Sequence, residues 1–173
     1  NSGVVTWFKM LFAGKAVSED TVFYASQIRW YGHPATYFVV RISGLFAPFC
    51  LNSYTAIAMF FSVLSFTGSW VGYKTILEYY PKLKKELAIG ILFAPSILLW
   101  SSGILKDTLT FGALMWMFYA MHNIFFKRKK IIQSIIIALI AIYILRVVKI
   151  YIILAFIPAF STALFFNYYK SIK

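Results

Sequence analysis

The chain has 173 residues, of which 61% are hydrophobic and only 13% are charged, and its mean hydropathy is +0.77. Soluble domains are about 45–50% apolar and about 25% charged, so this composition excludes a water-facing globular surface. The formal net charge of +12 lies mostly beside apolar runs, which favours membrane topology and anionic lipid headgroups over a nucleic-acid partner.

The first part of the chain, residues 1–52, is predicted to be a non-cytoplasmic region of interfacial or re-entrant helices. The chain begins at Asn1 and not at Met, so we expect it to be part of a longer protein. Val4–Ala13 is apolar but too short to span a bilayer, which is typical of an interfacial helix or the end of a preceding span. The only sizeable polar stretch, Lys15–Pro34, follows it and contains Asp20.

The segment Ala35–Leu51 can be interpreted in two ways. It is apolar but contains Arg41, Gly44 and Pro48, a combination that suits broken or interfacial helices. We therefore prefer a re-entrant or interfacial segment, which places Asp20 on the non-cytoplasmic side. A complete crossing would place Asp20 in the cytoplasm.

Residues 53–173 are predicted to form an all-α transmembrane bundle of about five spans. Each run approaches the roughly 20 apolar residues that a transmembrane helix needs. The apolar runs do not alternate with polar residues, so a membrane β-barrel is not expected. The predicted spans are Ser53–Tyr73, Leu87–Ile104, Thr108–Phe126, Ile131–Leu145 and Ile150–Tyr168.

Basic residues determine the expected orientation of the bundle. They concentrate in three segments that the five spans place on one side of the membrane, which is the cytoplasmic side by the positive-inside rule. These segments are Lys74–Lys85, Lys127–Lys130 and Lys170–Lys173.

The most informative motif is Pro95–Asp107, which covers the second half of the second predicted span and the residues that lead into the third. Pro95 is expected to kink the second span, because proline lacks an N–H and clashes with the preceding turn. Ser101, Ser102 and Gly103 then favour a tight turn, so that the two spans form an antiparallel hairpin. Lys106 and Asp107 follow this turn at the non-cytoplasmic face, where charges are expensive unless they serve as anchors or belong to a polar site.

Several basic residues near that face predict a phosphate site. Lys106, Arg146, Arg41 and Lys149 could hold a lipid phosphate by charge-assisted hydrogen bonds. Asp107 could serve as a second acid or cap the third span, where a negative charge suits the helix dipole. The alternative is that the lysines and Arg146 only anchor helix ends, and that Asp20 is an ordinary loop carboxylate.

Most catalytic motifs are absent from the sequence. There is no phosphate-binding glycine loop, no zinc-binding histidine pair and no nucleophile elbow. His122 is predicted to be a packed or interfacial histidine. No cofactor is expected, although the carboxylates leave a divalent metal ion chemically possible.

The segment Pro95–Asp107 resembles one found in bacterial polytopic proteins of the GT-C glycosyltransferase type, including relatives near the dolichyl-phosphate-mannose transferases. The order of the flanking segments is similar from about Asp20 to Lys149. This resemblance implies a sugar donor on a polyprenyl phosphate carrier and an acidic residue of the first outer loop, here Asp20, as the catalytic base.

The function expected from these features is glycosyl transfer from a polyprenyl-phosphate-linked sugar at the non-cytoplasmic face, as in polysaccharide biosynthesis of the cell envelope. The expected location is the bacterial inner membrane, and the expected partners are membrane lipids, the polyprenyl-phosphate carrier and possible proteins of a membrane complex. Two alternatives remain open: a non-catalytic subunit of such a complex, and a fragment of a lipid or solute transporter.

The predicted orientation can be tested by cysteine labelling. In a Cys50→Ser background, cysteines introduced at Lys84 and Arg128 should react with an impermeant thiol reagent only after the membrane is opened. The reason is that both positions lie in basic segments, which concentrate in the cytoplasm. Labelling of either position from outside intact cells would contradict the predicted topology.

Overall fold

The computed structural model describes residues 2–12, 27, 33–128 and 130–172. Within these residues the regular secondary structure is entirely helical, which confirms the predicted all-α class. In addition to α-helices, the chain forms a 3₁₀ turn at Pro81–Leu83 and a π-helical turn at Asn123–Lys127. The α-helices are α1 (Ser2–Phe12), α2 (Pro34–Phe46), α3 (Tyr54–Tyr79), α4 (Lys84–Leu92), α5 (Pro95–Ser101), α6 (Lys106–His122) and α7 (Ile131–Ile172).

Three of the described helices are long and apolar enough to cross a membrane. They occupy Tyr54–Tyr79, Lys106–Lys127 and Ile131–Phe166. Large apolar side chains are exposed along all three, as a lipid environment requires. The chain is therefore a helical membrane protein.

Helix α7 is folded back on itself at Lys149, whose backbone angles (φ −150°, ψ 79°) are not helical. Lys149 pairs with Asp107 at the beginning of α6, whereas Phe125 lies roughly 27 Å further along α6 at 1.5 Å per residue. The rings of Phe125 and Phe160 are nevertheless only 5.7 Å apart. The chain must therefore reverse at Lys149, so that residues 150–160 return along α6.

The segment of α7 before Lys149 also packs along α6. Ala141 and Leu145 are fully buried against Ala113 and Met117 of α6. The predicted fourth and fifth spans are thus the two limbs of α7, and the turn expected between them falls at Lys149.

The predicted second span is two short helices, α4 and α5, separated at Phe93 and Ala94. The prediction that Pro95 would kink one helix is wrong in this respect, because Pro95 instead begins a new helix. Ala94 before it is extended (φ −60°, ψ 128°), since the proline ring disfavours helical backbone in the preceding residue. The chain then turns into α6 through Gly103, whose φ of +153° suits glycine alone.

Helices α3 and α6 run parallel to each other and approach closely at two glycines. A Cβ on Gly68 would lie 2.4 Å from the carbonyl oxygen of Gly112. One turn further along, a Cβ on Gly72 would lie 2.6 Å from the sulfur of Met115. Small residues at four-residue spacing commonly allow such backbone contact between membrane helices, where dispersion forces rather than water exclusion hold helices together.

Helix α2 lies against the other helices near the beginning of α6. Its Val39 packs in a core cluster with Phe61 of α3 and Leu109 of α6, and Phe38 contacts Tyr143 of α7. The helix has 13 residues and is roughly 20 Å long, shorter than a hydrocarbon core of about 30 Å. This length favours the interfacial or re-entrant interpretation of Ala35–Leu51.

The contact between α3 and α6 can be tested with two matched substitutions. Gly68→Ala places a methyl group against the backbone of Gly112 and should lower stability by about 1–3 kcal/mol through overpacking. Gly90→Ala in α4 is the control, because a Cβ there meets nothing within 4 Å and alanine favours a helix. Thermal unfolding in detergent should separate the two variants; equal midpoints would contradict the close approach.

Candidate functional site

An ion pair joins the beginning of α6 to the fold in α7. The ammonium group of Lys149 donates a hydrogen bond to a carboxylate oxygen of Asp107. The two side chains are 25% and 38% exposed, so both are partly withdrawn from solvent. Asp107 is the second residue of α6, and the cap position is Leu105, which makes no side-chain cap. Asp107 therefore does not cap α6. Its carboxylate is bound to Lys149 instead.

The ion pair lines a cleft of about 430 Å³ between α5, α6 and α7, which we name the pair cleft. Its walls combine apolar and polar side chains. The apolar and aromatic wall residues are Ile97, Trp100, Phe111, Leu114 and Ile152, and the polar ones are Ser96, Ser101, Asp107, Thr110 and Lys149.

A second cleft, of about 420 Å³, is also lined by Asp107 and contains Lys106; we name it the lysine cleft. Lys106 is half-buried and has no ion-pair partner in the part of the chain that the structure describes. Thr36 and Ser43 of α2 add hydroxyl groups. The apolar walls come from Val39, Val40, Ile104 and Leu105. Asp107 is thus shared by two clefts, of which only one has its lysine neutralised.

The turn that leads into Lys106 and Asp107 is held by Thr108, which is wholly buried. Its hydroxyl hydrogen is shared between the carbonyl oxygens of Trp100, at 3.1 Å, and Gly103, at 3.0 Å. Thr110 donates to the carbonyl oxygen of Lys106 at 2.7 Å. These bonds fix the end of α5 against the first turn of α6.

Of the other predicted site residues, Arg146 and Arg41 are not brought to this ion pair. Arg146 is exposed and has no ion-pair partner in residues 33–128 and 130–172. The guanidinium of Arg41 lies 4.7 Å from the ring centre of Tyr37 and lines a separate cleft of about 280 Å³. Asp20, the predicted base, lies outside the described residues.

A second polar cluster, not predicted from the sequence, lies at the opposite end of α3 and α6. Lys127 donates to one carboxylate oxygen of Glu78, and Nε2 of His122 is 3.5 Å from the other. Nδ1 of His122 is 3.0 Å from the hydroxyl of Tyr79. His122 is buried, as predicted. The positions of Glu78 and Lys127 near the ends of two parallel spans were the only sequence signal for this contact.

Comparison of the chain with protein-family models, curated proteins and solved structures finds no match to any of them. Functional assignment therefore depends on the geometry of the two clefts and on the resemblance carried by Pro95–Asp107. Among the described residues, no three His, Cys, Asp or Glu side chains are grouped to hold a metal ion.

The role of Thr108 can be tested with two substitutions of similar size. Thr108→Val keeps the shape but leaves the Trp100 and Gly103 carbonyls without their donor, and should cost about 1–3 kcal/mol of stability. Thr108→Ser keeps the hydroxyl and should lose less stability. Chemical unfolding of both variants in detergent measures the difference. If the serine variant is as unstable as the valine variant, packing rather than the hydroxyl holds the turn.

Proposed function

We propose that this protein is an integral membrane glycosyltransferase, or part of one, that uses a sugar carried on a polyprenyl phosphate. The reaction would occur at the non-cytoplasmic face of a bacterial inner membrane, in the synthesis of a cell-envelope polysaccharide. The single observation that carries the proposal is that Asp107 lines both a cleft with a paired lysine and a cleft with an unpaired one.

The lysine cleft suits the phosphate of the carrier. The charge of Lys106 is not balanced by any described ion pair, and an unbalanced charge near hydrocarbon is costly. A phosphate group relieves this cost through a charge-assisted hydrogen bond. The apolar side chains of Val39, Val40 and Leu105 line the same cleft and suit the first isoprene units.

The carboxylate of Asp107 suits the role of general base. In the proposed transfer, an acceptor hydroxyl oxygen bonds to the anomeric carbon of the donor sugar. The bond from that carbon to the phosphate oxygen breaks, and its electron pair leaves with the carrier phosphate. The hydroxyl proton passes to the carboxylate of Asp107, which is held in place by its ion pair with Lys149.

This assignment moves the proposed base from Asp20 to Asp107. The resemblance implies Asp20, which the structure does not describe, whereas the two clefts lined by Asp107 support that residue. The two assignments differ in their consequences, because Asp20→Asn should leave activity largely intact if Asp107 alone accepts the proton.

The proposal is tested by purifying the protein, identifying bound lipids by mass spectrometry, and measuring sugar transfer from polyprenyl-phosphate donors in lipid nanodiscs. Asp107→Asn should lower the turnover rate by about 10²–10⁴-fold, the usual contribution of a general base. Lys106→Gln should mainly raise the donor KM. Lys130→Gln, at the opposite end of the bundle, is the control and should change neither.

The alternative functions give different results in the same preparation. A protein that retains only bulk phospholipid and transfers no sugar would be a structural membrane subunit. One that moves a lipid or solute across a vesicle membrane without forming a new glycosidic bond would be a transporter. Either result would refute the glycosyltransferase proposal.

A further inference from the structure

The pair cleft differs chemically from the lysine cleft. Its two charged groups, Asp107 and Lys149, already neutralise each other, so the cleft has no excess charge with which to attract an anion. It offers instead a carboxylate that accepts hydrogen bonds, an ammonium group that donates them, and the hydroxyls of Ser96 and Ser101. A ligand that matches this set is uncharged and has many hydroxyl groups.

The aromatic residue of the pair cleft is Trp100, at the end of α5. It is 55% exposed although it lines the cleft, so a large part of its side chain is open to a ligand. The face of an indole ring carries a partial negative charge, which attracts the weakly positive C–H groups on one face of a sugar ring. The apolar and polar sides of a sugar can thus be satisfied by Trp100 and the ion pair respectively.

Trp100 belongs to a fixed part of the structure. The buried hydroxyl of Thr108 donates to the Trp100 carbonyl oxygen across the turn, which ties the backbone at Trp100 to the same helix that carries Asp107. Binding groups that are held in place by buried hydrogen bonds lose less entropy when a ligand binds. The cleft volume of about 430 Å³ also lies within the range of about 300–1,000 Å³ found for ligand pockets.

We propose that the pair cleft is a carbohydrate-binding site in which Trp100 stacks on a sugar ring and Asp107 and Lys149 bind its hydroxyls. The inference rests on the proposed function and extends it, because it identifies the acceptor as an uncharged sugar bound in the pair cleft, while the donor phosphate binds in the lysine cleft. The acceptor hydroxyl next to Asp107 is then the one that loses its proton.

The site is tested with the full chain in lipid nanodiscs and a panel of methyl glycosides of glucose, galactose, mannose and N-acetylglucosamine. Saturation-transfer NMR should detect binding of at least one of them. Trp100→Ala should weaken that binding by about fivefold to tenfold through loss of stacking, whereas Trp100→Phe should retain most of it. Trp70→Ala is the matched control, since Trp70 is also exposed but lies in α3 beside Lys74, away from the cleft.

The outcomes separate this inference from the glycosyltransferase proposal. Glycoside binding that depends on Trp100, without any sugar transfer, would support the carbohydrate site and refute the transferase. Transfer with equal acceptor KM in the Trp100→Ala and Trp70→Ala variants would refute the carbohydrate site and support the transferase. Failure of every glycoside to bind the folded wild-type protein would also refute the site. Thermal midpoints of both tryptophan variants establish that each one is folded.

Discussion

The backbone contact between Gly68 and Gly112 is the constraint on which the other helix positions depend. A side chain on either residue would have to occupy space already filled by the other helix. The contact therefore fixes both the distance and the register of α3 and α6. On one side of it Phe61 packs in a cluster with Leu109, and at the far end Glu78 reaches Lys127. Two parallel helices in fixed register give the bundle one rigid side.

The other helices are interrupted where they approach the beginning of α6. Helix α5 ends at the turn held by Thr108, and α7 folds back at Lys149. Both are chain reversals between consecutive helices, and both lie beside the first turn of α6. The two turns therefore bring the polar groups of the pair cleft together at one end of the bundle.

The sequence predicted those features that depend on composition along the chain. Apolar runs located the long helices, and the two basic residues Arg146 and Lys149 marked the reversal in α7. The sequence also showed that Pro95 interrupts a span, although it predicted a kink where the structure has a break. Each of these depends on local backbone chemistry or on the hydropathy of neighbouring residues.

Features that depend on distant contacts could not be predicted in this way. Four basic residues were candidates for one phosphate site, and nothing in the sequence indicated that Lys149 alone pairs with Asp107. That pairing requires the reversal of α7 to coincide with the first turn of α6, which follows from how the two helices pack. The contact between Glu78 and His122 similarly depends on α3 and α6 being parallel and in register.

The distribution of charge around Asp107 explains why two different ligands suit one end of the bundle. A single carboxylate lies beside two lysines, and its oxygen is bound to Lys149, so the positive charge of Lys106 remains unbalanced within the described residues. In a medium of low dielectric constant, an anion is favoured beside Lys106 and a neutral ligand beside the completed pair. The glycosyl transfer that we propose, from a phosphate-linked donor to an uncharged acceptor, would use this asymmetry. In that reaction the carboxylate that both clefts share would be close to both substrates without repelling the acceptor, and Lys106 would offset its repulsion of the donor phosphate.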